Sequence, residues 1–239
     1  LREEPSRRYI YDNPANDIGI KGENSALLYH KYREKQVTYK TLDTLFDDHP
    51  IVGTLETTVR EWLDEIGILD FDSVKSDDDE VFRFYLSSSE YNEERVNIAD
   101  VGFGVSQVVP IVIAGLLMSA GETLILEQPE IHLHPKMQMK LADFILSMSL
   151  SGKNFIIETH SEHIINRFVR RIVEDERGVF NPYIGINFVK NTGKGSKIET
   201  VKISEKNGIE NWPEEFFDQA FAEQQNIMNA IINNKKKNK

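Results

Sequence analysis

Apolar residues recur at helical spacing over Thr54 to Ile66, where Leu55, Val59, Trp62, Leu63 and Ile66 fall on one stripe. That spacing predicts an amphipathic helix, with Thr54 or Thr57 as its cap. A shorter amphipathic helix is predicted from Glu23 to about Lys35, through Ala26, Leu27, Leu28 and Tyr32. Residues 1–22, with their prolines and with Gly19 and Gly22, read as loop and extended chain. The acidic run from Asp70 to Glu80 reads as a solvated loop. Val81 to Leu86 alternates as a half-buried strand does, and Glu94 to Ile98 is expected to pair with it as a hairpin.

Beyond this point the texture changes. Val105 to Met118 is apolar enough for a buried helix, despite Pro110. Thr123 to Leu126 and Asn154 to Ile157 are short continuous apolar runs, each followed by a helical pattern: Pro135 to Met148, then Glu162 to Val173. Strand, helix, strand, helix with buried-type strands predicts an α/β fold with a mostly parallel sheet. Strands near Ile184–Val189 and Lys197–Ile203 and a helix from Glu214 to about Ile232 follow. They predict a small C-terminal α+β appendage over 178–239, behind a main domain at 1–177.

Composition narrows this picture. The chain has 239 residues, 40% of them hydrophobic and 28% charged, which is ordinary for a globular protein. It contains no cysteine, so disulfides and thiolate metal sites are excluded, and a reducing cytoplasm is the expected location. The longest apolar run, Val108 to Met118, is too short to span a bilayer, so no membrane association is expected. The net charge of −11 argues against a broadly basic nucleic-acid face. Arg167, Arg170 and Arg171 form a local cluster that reads as a solvated helix face or, alternatively, as a phosphate contact. The chain starts at Leu1, and the expectation is that it is a piece of a longer polypeptide.

In a parallel α/β sheet the chemistry collects past the carboxyl ends of the strands. One strand, TLIL, runs into Glu127, Gln128, Pro129 and Glu130. A carboxylate projecting there suits Mg²⁺ or its water. The other, NFII, runs into Glu158, Thr159, His160 and Ser161. A histidine so placed can sense a terminal phosphate by hydrogen bonding. Upstream, DVGFGVSQVVP at 100–110 offers Gly102 and Gly104 for close backbone approach. Ser106 and Gln107 lie beside them near a helix start, where free N–H groups favour an anion. The same histidines allow a different class of function. His132, His134, His160 and His163, with Glu127, Glu130 and Glu158, would be suitable ligands for the zinc or iron of a metal-dependent hydrolase.

Taken in order, VGFGVSQVVPI, LILEQPEIHLHP and IIETHSEHIINR resemble the signature, Walker B/D-loop and switch-histidine segments of the ABC/SMC ATPase superfamily, in its RecF/OLD-like, AAA-annotated branch. LREEPSRRY, GEN at 22–24 and WPEEFFDQAF are similar to a subfamily that ends in a domain of unknown function. The resemblance implies a P-loop NTPase head that uses ATP and Mg²⁺ and dimerises with a second head. It implies that Gly102, Gly104, Ser106 and Gln107 touch the γ-phosphate bound by a partner subunit. Glu127 takes the Mg²⁺-holding carboxylate position and His160 the switch position, and Ile131 to Pro135 corresponds to the interfacial D-loop. Relatives are associated with phage defence and DNA maintenance, through a switched effector or nucleic-acid partner.

Two departures qualify the resemblance. Gln128 stands where many relatives have a general-base glutamate, and a glutamine can orient water but cannot take its proton. Either Glu130 supplies the base, or the site works mainly as a nucleotide-gated clamp; a slow ATPase is the favoured reading. No GxxxxGK[ST] occurs in the 239 residues, so the chain is expected to be a head lacking its N-terminal P-loop lobe and to be inactive alone. The rival expectation from the same departures is an inactive head that serves as a scaffold or regulatory interaction module.

Overall fold

The structure, a computed structural model, describes residues 9–10, 17–42, 50–75, 81–87, 95–100, 103–213, 223 and 225–229. In chain order the elements are β1 (Tyr9–Ile10), α1 (Ser25–Tyr32), β2 (Gln36–Tyr39), β3 (Ile51–Thr54), α2 (Leu55–Ile66), β4 (Phe71–Lys75), β5 (Val81–Ser87) and β6 (Arg95–Asn97). They continue with α3 (Phe103–Leu117), β7 (Thr123–Glu127), α4 (Pro135–Leu150), β8 (Asn154–Glu158), α5 (Glu162–Glu174), β9 (Ile186–Asn191), β10 (Ser196–Val201), β11 (Ile203–Ser204) and β12 (Gly208–Ile209). The chain divides into two compact units, 1–168 and 169–239, with the division inside α5.

In the first unit, α2 forms where the apolar stripe predicts it. The Thr54 hydroxyl accepts the Thr57 N–H at 3.2 Å, and Gly67, at φ 104°, turns the chain out by donating to the Leu63 and Asp64 carbonyls. Leu55, Val59, Trp62, Leu63 and Ile66 are buried by it. The shorter α1 is not amphipathic: its consecutive residues Ser25 to Tyr29 are all buried. Tyr29 packs edge-on against Phe71 and Phe84, each with centroids 5.7 Å away, and burial pushes its phenol up to about 12. Trp62 bridges a second cluster, 5.1 Å from Phe144 of α4 and 5.8 Å from Tyr39 of β2.

Phe71 to Lys75 corrects the solvated-loop expectation for the start of the acidic run. It is a strand, β4, pairing antiparallel with β5 from Phe71↔Leu86 to Lys75↔Phe82. Buried Phe71 anchors it, and the Asp72 carboxylate is met by Arg60 at 2.9 Å and Arg95 at 3.3 Å. Residues 76–80 lie outside the described residues. The β5–β6 hairpin forms as expected.

The fold is α/β, but the mostly parallel sheet is not what the described residues form. Parallel pairing among them is confined to β7 and β8, in register from Thr123↔Asn154 to Glu127↔Glu158; β1–β5, β4–β5, β5–β6, β2–β3, β9–β10 and β11–β12 are antiparallel. Among these pairs it is β7 and β8 that are joined by a helical crossover, α4, which parallel pairing requires. The apolar α3 keeps Pro110 in its interior, surrounded by buried Val108, Val109, Ile111, Val112 and Ile113. Among the described residues, no helix is long and apolar enough to cross a membrane.

Lys153, immediately before β8, is buried and caps α3: its ammonium donates to the Gly115 carbonyl at 2.6 Å and the Leu116 carbonyl at 3.1 Å. Burial, then the nearby Lys35 charge, push its pKa down to about 8, against a weaker upward pull from Glu122. The native state therefore releases this proton at lower pH than the unfolded chain does. Stability is expected to rise by about 2 kcal/mol between pH 8 and pH 10. It should fall again above about pH 10, where the unfolded chain ionises tyrosines that burial keeps neutral at Tyr29 and Tyr39. Urea unfolding across this range checks the slope; Lys153→Met should flatten the rising limb.

In the second unit, β9 and β10 form a regular antiparallel hairpin, with Ile186 and Val201 buried as one cross-strand pair and Val189 facing Ile198 on the exposed side. Buried Asp175 accepts the Arg177 and Phe180 N–H groups at 3.1 and 2.7 Å, closing the turn after α5. Most of the predicted helix over 214–232 lies outside the described residues; 225–229 is helical.

Candidate functional site

Buried-type strands predict apolar cover on both faces of β7 and β8, and the structure covers one. Leu124 and Leu126 point into the core, whereas Ile125 and its cross-strand partner Ile156 are each 59% exposed. The period of two puts Glu127 and Glu158 on that same open face. They are direct Cα partners at the carboxyl ends of the strands, and both are exposed.

The backbone then turns sharply. Gln128 takes φ 46°, a left-handed conformation that a non-glycine residue rarely holds, while its N–H donates to the Glu158 carbonyl at 2.8 Å. His132 repeats this at φ 64°. Between them Glu130 is turned inward, only 8% exposed. Its Oε1 accepts the His160 backbone N–H at 2.7 Å, and its Oε2 is buried with no protein partner. His134 ends the loop as the α4 cap, its Nδ1 accepting the Lys136 N–H at 3.2 Å ahead of Pro135 at the first turn.

The second loop is held just as closely. Ser161 caps α5 by accepting the Ile164 N–H at 3.1 Å, and the Thr159 hydroxyl accepts the Ser161 N–H at 3.0 Å. The His160 side chain is exposed. Behind the first loop, α3 begins so close that a β-carbon on Gly104 would lie 2.5 Å from the His132 carbonyl oxygen. Glycine is required there by packing against the chain's own loop.

The residues singled out by sequence are thus distributed unevenly. Glu127, Gln128, Glu130 and His160 lie together at the ends of β7 and β8. Gly104 touches the same loop from behind. Ser106 is 5% exposed and Gln107 half-buried, inside the first turns of α3. Gly102 lies outside the described residues. The histidines do not converge on a metal centre: among the described residues, no group of three or more His, Asp or Glu side chains is placed to hold a metal ion. Arg167 is committed to Asp143, and Arg170 and Arg171 each pair with Glu174, so all three guanidinium groups already meet carboxylates. Glu158, named from the sequence only as a possible ligand of a hydrolase metal, stands as the cross-strand partner of Glu127. Gln138 was not named, and the local pattern gives no signal for it.

The model of the AAA ATPase domain family matches residues 17–165. A second model, a protein of unknown function (DUF3696), matches residues 181–225. No curated protein matches the chain. One solved chain, from work on the ATP-driven dimerisation and DNA-stimulated activation of SMC ATPases, aligns at 11% identity and a TM-score of 0.45, over 62% of this chain and 83% of that one. Another, from a crystal structure of the Smc head bound to the C-winged helix domain of ScpA, aligns at 10% identity and a TM-score of 0.47. That alignment covers 81% of this chain and 52% of the other.

Proposed function

The chain belongs to the AAA ATPase domain family, and from that premise we propose that it is the catalytic-loop portion of an ABC/SMC-type ATPase that uses ATP and Mg²⁺ to switch a partner or nucleic-acid contact. The observation that carries this reading is the junction at the ends of β7 and β8, where Glu127 stands beside Glu158 and Glu130 is bonded to the His160 backbone.

The donors fit the implied cofactor. Glu127 and Glu158 are hard oxygen ligands, and one or two carboxylates completed by phosphate oxygens and water are what Mg²⁺ takes. When bound, Mg²⁺ would neutralise charge developing on the phosphates. Glu127 would hold it, with Glu158 adjacent. Gln128 would orient the attacking water. Glu130 would accept its proton at Oε2 only if the loop opened, since that oxygen is buried and Oε1 is occupied by the His160 N–H. The exposed His160 imidazole would report on the terminal phosphate. A phosphate cradle of the GxxxxGK[ST] kind would come from residues outside these 239, and Ile131 to Pro135 would face a second copy. Gly102, Gly104, Ser106 and Gln107 would meet that copy's nucleotide only if the start of α3 opened, since Ser106 is buried.

The burial of Ser106, together with Gln128, favours the second reading, a head fold kept as a scaffold that no longer turns over ATP. Titration calorimetry with ATP and Mg²⁺, with phosphate release measured on the same protein, separates the two, because a scaffold releases none. The protein read from the start of its open reading frame should bind at micromolar concentrations and self-associate on binding, and EDTA should remove both effects. No binding would leave the scaffold reading standing.

A further inference from the structure

The loop after β7 and the loop after β8 are joined by more than the Glu130 carboxylate. Gln138, on the first turns of α4, sits half-buried between them. Its Nε2 donates to the Leu133 carbonyl at 2.8 Å and, at the 3.5 Å limit, to the Glu130 carbonyl. Its Oε1 accepts from the Ser161 hydroxyl at 2.5 Å, and that same oxygen of Ser161 caps α5. A carbonyl can only accept, so Leu133 requires the amide nitrogen; Ser161 then meets the amide oxygen. No other side chain of this length offers both ends. Glutamate would set a carboxylate oxygen against the Leu133 carbonyl, and leucine would leave both partners unpaired.

We propose that Gln138 is a positioning residue that locks the 128–134 loop to the 159–161 loop, so that the two move as one body. His160 is held on both sides: its own N–H is fixed by Glu130, and the next residue is fixed by Gln138. Both anchors belong to the chain that follows β7. The loop is also backed from behind by Gly104 against the His132 carbonyl, which leaves it little room to shift alone. The consequence rests on the ATPase reading above. There, residues 131–135 face the second copy and His160 faces the phosphate, so Gln138 carries the arrival of the second copy to the histidine. Its effect is on turnover, because it touches no nucleotide.

The test uses Gln138→Leu, with Ser161→Ala as a second variant and Ser161→Thr as its rescue, in the protein read from the start of its open reading frame. Amide hydrogen exchange without nucleotide should speed up at His160 and Ser161 by on the order of tenfold in Gln138→Leu and Ser161→Ala. Amides of α2 should be unchanged, and Ser161→Thr should return the rate to that of the wild type. The turnover number for ATP should fall by about tenfold with KM within about twofold, since ground-state binding is not touched. Unchanged exchange at His160 in both folded variants would overturn the lock. So would faster exchange accompanied by full turnover. If the wild type hydrolyses no ATP, the ATPase reading fails, while the exchange rates still decide whether the two loops are joined.

Discussion

Glu127→Gln is expected to abolish Mg²⁺-dependent ATP hydrolysis, lowering turnover by at least about a hundredfold, the scale on which loss of one preorganised electrostatic contact acts. The substitution keeps the shape and the strand register but removes the negative charge that a hard divalent cation requires. The fold should tolerate it. Glu127 is exposed, and its neighbour across the ladder is another carboxylate, Glu158, so the change relieves a like-charge pair. The thermal midpoint should therefore hold or rise while activity disappears. This separation marks a site residue and would not be seen for a purely structural one. Steady-state phosphate release and a melting curve on the same preparation check it. Unchanged turnover would remove Glu127 from the site.

The largest effect on stability is expected at Asp143. This residue of α4 receives Arg167 of α5 in a two-point contact, Nε to Oδ1 at 2.9 Å and Nη2 to Oδ2 at 2.5 Å, with both side chains largely out of water. Asp143→Ala leaves the guanidinium without its counter-charge in a poorly solvated place, which costs about 3–5 kcal/mol. For a chain of this size that lowers the melting temperature by on the order of 10 °C. Replacing both partners, as Asp143→Leu with Arg167→Met, should recover most of the loss, because no unpaired charge remains. Urea unfolding of the single and double variants makes the comparison, and a loss below about 1 kcal/mol for Asp143→Ala would show the pair to be dispensable. The helix concerned begins directly after His160 and Ser161, so the same variant should also loosen the 159–161 loop.

What could be read from the chain follows the range of the interactions. The helix α2 was legible because its stripe and its Thr54 cap are both local. The strand–helix–strand unit around β7 and β8 was legible because a continuous apolar run followed by a helical period leaves few alternatives. The strand β4 was hidden inside an acidic run, since the arginines that neutralise Asp72 come from α2 and β6. Apolar runs alone could not tell that β7 and β8 keep one face open at Ile125 and Ile156. At the site, Glu127, Gln128, Glu130 and His160 were named from strand ends and from resemblance. The bond from His160 to Glu130, and the Gln138 amide that ties their loops, depend on tertiary placement that no spacing encodes.

The most direct test of the central claim is Mg²⁺-dependent phosphate release by the 239-residue chain and by the protein read from the start of its open reading frame, each beside its Glu127→Gln variant. Expected are a silent 239-residue chain, slow turnover by the protein read from the start of its open reading frame, and none by its variant. Silence in both wild-type proteins, or turnover that survives Glu127→Gln, would contradict that claim.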